Sequence, residues 1–204
     1  MTTVAAFDVD GTVTRRDCVV PFMRRVTGAR RMVPRLAARP DRLFPLVARR
    51  DRDQLKALAA AAAFRGQPEA TLLDEGAAFA EVVHADWLRT DTVERLRAHL
   101  EAGDRVVFVS ASFELYLRPL GVLLGIDEAL GTRLEVRDGV ATGALDGPNC
   151  RGPEKVRRLY EWLGREHIDR TDANVVAYGD SAGDRELLAD ADEAHWMTTD
   201  GRAA

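Results

Sequence analysis

Short, uninterrupted apolar runs that stop at acidic or glycine residues recur along this chain, and the stretches between them carry helical spacing. Val4 to Val9 is the first such run, broken at Asp10-Gly11, and it reads as a short buried strand. Val106 to Val109 and Asn174 to Tyr178 repeat the pattern, and Ala194 to Met197 is a last short candidate. Between them, Asp91-x-x-Glu94 reads as a capping box, with Val93, Leu96 and Leu100 on one face and a stop at Gly103. Phe113 to Leu124 is a helix interrupted near Pro119, and Glu154 to Leu163 and Asp184 to Ala189 are helices. Leu134–Val136 and Val140–Thr142 flank Asp138-Gly139, a hairpin signal. Strands alternating with helices predict an α/β fold with a doubly wound, Rossmann-like parallel sheet.

One segment breaks that rhythm. From Arg15 to about Leu88 no convincing strand appears. Phe22, Met23 and Val26 lie at helical spacing, and Gly28, Pro34, Pro40 and Pro45 cut the following stretch into short pieces. Gln54 to Phe64 is an alanine-rich helix stopped by Gly66 and Pro68, and Thr71 to Trp87 is a further amphipathic helix. The expected organisation is a core of residues 1–14 and 89–204 with a helical insert at 15–88.

Composition narrows the function. The chain has 204 residues, 46% apolar and 30% charged, which suits a soluble globular protein. A net charge of −4 argues against a dedicated nucleic-acid binder, and Cys18 and Cys150 are too few for a disulfide framework. With no signal-like leader and no apolar run near the ~20 residues of a membrane span, the expected location is the cytoplasm. Two finer counts matter more. Of 29 basic residues only Lys56 and Lys155 are lysine, so each invites a question. Arg15 to Arg65 holds fourteen basic and four acidic residues, a net of +10 within a chain of −4.

Two acidic clusters fall at strand ends: Asp8-x-Asp10-Gly11-Thr12, and Gly179-Asp180-Ser181-Ala182-Gly183-Asp184. In a doubly wound sheet the ligand site lies outside the carboxyl ends of the strands, so the clusters should converge. Crowded carboxylates repel unless a cation joins them, and hard oxygen ligands select Mg²⁺. Ser110 closes the strand at Val109; taken alone it reads as an N-cap for the next helix. Lys155 opens a helix. Carboxylates, a hydroxyl and a lysine at strand ends and helix starts suit phosphoryl transfer, where catalysis is mostly positioning and charge neutralisation.

These residues carry a resemblance to the haloacid dehalogenase superfamily, in its phosphoserine-phosphatase-like branch with a helical cap inserted after the first motif. Phe7-Asp8-Val9-Asp10-Gly11-Thr12 resembles the first motif and Val109-Ser110-Ala111-Ser112-Phe113 the second. Asn149-Cys150-Arg151-Gly152-Pro153-Glu154-Lys155 resembles the third and Tyr178-Gly179-Asp180-Ser181-Ala182-Gly183-Asp184 the fourth. The resemblance implies a Mg²⁺-dependent phosphomonoester hydrolase. Asp8 would be the nucleophile that forms an aspartyl-phosphate, and Asp10 the general acid and then base. Mg²⁺ would be bound by Asp8, the backbone carbonyl of Asp10, Asp180 and Asp184. The phosphoryl oxygens would be held by Ser110, Lys155 and the Thr12 loop.

Departures from the family pattern leave alternatives. Counted from the hairpin, Arg151 sits where some relatives have the phosphate-binding lysine, while Lys155 lies about one helical turn later. The scarcity of lysine favours Lys155. Where phosphoserine phosphatases carry a glutamate nine residues after the nucleophile, this chain has Asp17, so phosphoserine is an alternative substrate. A phosphotransferase or mutase on the same core is another. The basic cap is either a solvated helical surface, or it meets further negative charge on the substrate, or it makes weak contact with an anionic membrane surface. The expected partner is a small-molecule phosphomonoester. Oligomeric state is not legible.

Overall fold

In this computed structural model the residues described are 1–28, 40–49 and 51–197. The expected break at Pro34 and the arginines at 30, 31, 35, 39 and 50 lie outside them. The first strand, β1 (Thr2–Phe7), leads through a turn into four helices: α1 (Val19–Thr27), α2 (Pro40–Arg49), α3 (Arg52–Phe64) and α4 (Glu69–Asp86). Then come α5 (Thr90–Ala102), β2 (Arg105–Phe113), α6 (Glu114–Leu124) and β3 (Glu128–Thr132). A hairpin of β4 (Leu134–Arg137) and β5 (Val140–Leu145) precedes α7 (Pro153–Arg165), β6 (Ala173–Gly179), α8 (Arg185–Asp190) and β7 (Glu193–Trp196).

The main sheet has five parallel strands in the order β3-β2-β1-β6-β7, as the alternation of strands and helices predicts. Strand alternation explains why both faces are apolar. Ala5, Phe7, Val106, Phe108 and Val176 point to one side, where they meet Leu96, Tyr116 and Leu120. Val4, Ala6, Val107, Val109 and Val175 point to the other, against Leu159, Trp162 and Leu187. Register then sets the height of the strand ends. Phe7 pairs with Phe108 on one side and Tyr178 on the other, so Asp8, Ser110 and Asp180 all emerge at the carboxyl edge.

The helical segment leaves and rejoins the sheet at one seam. Arg15 N–H donates to the Trp87 carbonyl and Arg89 N–H to the Val13 carbonyl, both at 2.9 Å, around a Thr14–Leu88 bridge. It does not stand apart, because Phe22 packs on Phe64, Phe79 and Tyr116, and Phe64 on Phe113. These rings belong to the same apolar cluster as one face of the sheet.

Several local expectations change. The strand β3 has no clear local signal, because Glu128-Ala129-Leu130-Gly131-Thr132 has only one sizeable apolar residue and relies on pairing with β2. Pro45 and Pro119 lie inside α2 and α6 without ending them. Each is the sixth residue of its helix, so the carbonyl four residues earlier goes without its helical donor, yet the helix runs on. The capping box at Asp91 does not form: the N-cap position is Arg89, and Asp91 turns back on its guanidinium at 3.4 Å. Asp138 and Gly139 both take positive φ, 51° and 73°, as the tight hairpin turn requires.

A close approach of two helices rests on one glycine. A Cβ on Gly76 of α4 would lie 2.1 Å from the Leu115 carbonyl oxygen of α6, whereas one on Gly164 of α7 meets nothing within 4 Å. Gly76→Ala should therefore cost about 1–3 kcal/mol and lower Tm by roughly 3–10 °C. Gly164→Ala should hold or raise Tm. Thermal unfolding by circular dichroism reads both, and equal Tm for the two variants would contradict the packing.

Candidate active site

The turn after β1 is wound around a single acceptor. The Val9 carbonyl takes the N–H groups of Thr12 (3.2 Å), Val13 (2.9 Å) and Thr14 (2.9 Å), which folds Asp8 and Asp10 back over the strand ends. Gly11 sits at φ +87°, and a Cβ there would lie 2.2 Å from Asp180 Oδ2, so the turn admits only glycine. This is what lets the clusters after β1 and β6 touch.

Asp8 and Asp184 share one cation. Lys155 Nζ lies 2.6 Å from Asp8 Oδ1 and 2.5 Å from Asp184 Oδ1, with all three side chains buried. Lys155 is the third residue of α7, and Pro153 at the start of the helix fixes where its side chain enters. Burial alone would lower the Lys155 ammonium, but Asp8 and Asp184 hold it above its ordinary value. Burial raises the Asp8 carboxyl, with the charge of Asp184 adding to the rise and Lys155 opposing it. Asp184 Oδ2 accepts from Ser181 N–H (2.9 Å) and Ser181 Oγ (2.8 Å), closing the loop after β6 on itself.

Asp8, Asp180 and Asp184 each place a carboxylate oxygen within 4.8 Å of the others. Three carboxylates against one ammonium leave an excess of negative charge, and their oxygens are the hard donors a small divalent cation needs. Burial followed by the nearby Asp184 raises the Asp180 carboxyl, the electrostatic signature of that crowding. Of the residues expected to hold Mg²⁺, these three fit.

Asp10 is held differently. Its Oδ1 accepts from the Cys18 backbone N–H at 3.0 Å and its Oδ2 from the Ser112 hydroxyl at 2.8 Å; Tyr116 in turn donates to Ser112 at 2.8 Å. Burial, reinforced by Asp17, lifts its carboxyl to about 6, which suits a group that gives and takes a proton near neutrality. None of these supporting donors was singled out from sequence, since Ser112 and Tyr116 reach Asp10 only through the fold.

The carboxylates open into a cavity of about 500 Å³. Asp8, Asp10, Ser110 and Lys155 line it, together with Arg151 and Lys56. Ser110 is not an N-cap. It lies within β2, and its Oγ accepts the Ser112 N–H at 3.2 Å. Thr12, expected among the phosphate-binding groups, turns its hydroxyl onto Asp180 at 3.3 Å and is fully buried, so it serves a metal-ligand candidate instead of the cavity. Asp17 reaches the cavity wall, yet its Oδ1 accepts from Val20 N–H at 3.1 Å and caps the first turn of α1.

A family model described as haloacid dehalogenase-like hydrolase matches residues 5–189. Protein CicA of Caulobacter vibrioides is 38% identical over 202 residues, covering 98% of this chain and 88% of that protein. Phosphoserine phosphatase SerB1 of Mycobacterium tuberculosis is 28% identical over 196 residues, covering 93% of this chain and 62% of that one. Among solved structures, a protein of unknown function from Bordetella pertussis Tohama I superposes with a TM-score of 0.75 at 25% identity, covering 93% of this chain and 86% of that chain.

Removing the shared cation tests the electrostatics directly. Lys155→Met leaves Asp8 and Asp184 buried without their counter-charge, a loss of about 3–5 kcal/mol. Chemical denaturation in the presence of EDTA should show the midpoint falling accordingly, with an unchanged slope; an unaltered midpoint would mean the three groups are not packed as described.

Proposed function

This chain belongs to the haloacid dehalogenase-like hydrolase family and is a phosphatase, and on that premise we propose that it hydrolyses a small-molecule phosphomonoester through a phosphorylated Asp8. The observation that carries the reading is the separation of two carboxylates in one cavity: the buried Asp8 against Lys155, and the half-buried Asp10 on its own donors from Cys18 and Ser112. An oxygen of Asp8 attacks phosphorus, the bond from phosphorus to the ester oxygen breaks, and Asp10 gives its proton to the departing alkoxide. Asp10 then takes a proton from water, whose oxygen attacks phosphorus. The bond to Asp8 breaks, and inorganic phosphate leaves. Ser110 and Lys155 hold the phosphoryl oxygens throughout, and the Lys155 ammonium offsets charge as it builds up.

Asp8, Asp180 and Asp184, with the carbonyl of Asp10, would hold Mg²⁺. When bound, the ion screens the Asp8 carboxylate from the dianionic ester. The closeness of the three carboxylates supports this.

Residues 15–88 would act as a cap over a core of 1–14 and 89–204, and the seam at Thr14–Leu88 supports those boundaries. The cap residues Val19, Met23 and Leu55 line the cavity opposite the carboxylates, so the cap selects the part of the substrate that leaves. Phosphoserine is the second reading, favoured by the names of several relatives. Asp17 weakens it, because the carboxylate placed to read an ammonium already caps α1. No helix among the described residues is long and apolar enough to cross a membrane.

Asp8→Asn keeps shape but cannot attack phosphorus, so turnover of p-nitrophenyl phosphate should vanish while Tm stays near that of the parent. Retention of more than a small fraction of kcat would remove the covalent mechanism. EDTA should abolish activity and Mg²⁺ restore it.

Lys155→Ala should depress kcat/KM, measured per folded molecule, by roughly 10²–10³. Arg151→Ala should cost far less, because it is Lys155 that bonds the Asp8 carboxylate. The reverse ranking would assign the phosphate to Arg151.

A further inference from the structure

Both lysines of this chain line the same cavity, although 27 of its 29 basic residues are arginine. Lys155 is accounted for by Asp8 and Asp184. Lys56, on α3 in the helical segment, touches neither. Its ammonium sits among three neutral oxygens: the Ala111 carbonyl, Thr132 Oγ1 at 2.8 Å and Asn149 Oδ1 at 2.7 Å, with the Phe113 ring 4.5 Å away. A lysine has three donors that can point to three acceptors around one nitrogen; a planar guanidinium cannot take that arrangement. Burial lowers the ammonium to about 7, opposed first by the charge of Asp10, and among the described residues no carboxylate pairs with it directly.

The three acceptors belong to three parts of the core. Ala111 lies between Ser110 and Ser112, where the pairing of β2 with β3 is irregular. Val109 pairs with Leu130 and Phe113 with Thr132, so four steps on β2 face two on β3. The bulge turns Ser110 to the cavity and Ser112 to Asp10, and takes the Ala111 carbonyl out of the ladder. Its donors are Lys56 and the Thr132 hydroxyl at 2.9 Å. Asn149 precedes the loop that leads to Lys155, and its amide donates to Asp53, one helical turn before Lys56, at 2.6 Å.

We infer that Lys56 is a positioning residue, which reaches from the helical segment to fix the β2 bulge and thereby sets the placement of Ser110 and Ser112. It touches no substrate atom. It acts through the Ala111 carbonyl on the group that meets the phosphoryl oxygens and on the group that holds Asp10. α3 is packed into the same apolar cluster as the sheet, through Phe64 on Phe113, which holds Lys56 against the bulge in this arrangement. The kinetic part of this inference rests on the phosphatase reading.

The test compares Lys56→Met, which keeps length and loses the charge and donors, with Lys56→Arg, which keeps charge but not the three-way geometry. Local amide exchange, read by mass spectrometry over residues 106–117, needs no activity. Both variants should exchange faster around 110–113, with β1 and β6 unchanged. In kinetics, Lys56→Met should lose roughly ten- to a hundred-fold in kcat. The loss should be alike on p-nitrophenyl phosphate and on glycerol phosphate, and inhibition by inorganic phosphate should weaken in parallel. Lys56→Arg should share most of the loss. Unchanged exchange at the bulge overturns the inference whatever the kinetics show. So does a variant that raises KM for glycerol phosphate alone, since Lys56 would then be reading the leaving group. A wild-type chain that releases no phosphate from any ester defeats the phosphatase reading instead, and the exchange data still decide whether Lys56 braces the bulge.

Discussion

The buried ammonium of Lys155 between Asp8 and Asp184 is the contact on which the rest of the site depends. It joins the end of β1, the start of α7 and the loop after β6, three pieces of chain that converge only through the order of the parallel sheet. Buried charges persist only when paired, and each removed partner leaves the others costly. The arrangement is therefore strained in one direction by design: three carboxylates crowd one lysine, and the surplus of negative charge is what a divalent cation can answer. Burial and the charge of Asp184 push the Asp8 carboxyl up, and Lys155 opposes them by stabilising its ionised form.

A second constraint works beside it. Asp8 and Asp10 are two residues apart, yet their surroundings are separate. Asp8 faces an ammonium; Asp10 faces a backbone N–H and a hydroxyl backed by Tyr116. Two carboxylates with different partners can take different protonation roles at one pH, which one shared environment would prevent. The helical segment contributes on the Asp10 side. It supplies the Cys18 N–H that holds Asp10, and the Lys56 ammonium that meets the bulge carrying Ser110 and Ser112. The helical segment is therefore part of the frame around the cavity.

Some elements were legible because their signal is local. β1 and β6 are uninterrupted apolar runs ended by acidic motifs, and the hairpin is set by Asp138-Gly139, whose positive φ values other residues resist. β3 had no such signal: its stability comes from the ladder with β2, a partner that sequence spacing does not name. The prolines at 45 and 119 read locally as breaks, yet both sit in the middle of a continuous helix that only the folded structure reveals. Asp91 misled because Arg89, two residues before it, offered its carboxylate a charged partner in place of the backbone.

The sequence by itself determined the class of fold and a set of polar groups that the structure brings to one edge of the sheet. Apolar period, turn residues and motif spacing act over a few residues, and they place Asp8, Asp10, Ser110, Lys155, Asp180 and Asp184 at strand ends and helix starts. Tertiary structure decided what each group does with its neighbours. It gave Asp10 its donors, turned Thr12 from the cavity to Asp180, committed Asp17 to the cap of α1, and brought Lys56 onto a carbonyl 55 residues away. Those outcomes rest on sheet register and on a bulge between β2 and β3. Hydrogen bonds of that kind are fixed by where distant backbones end up, and no local pattern records it.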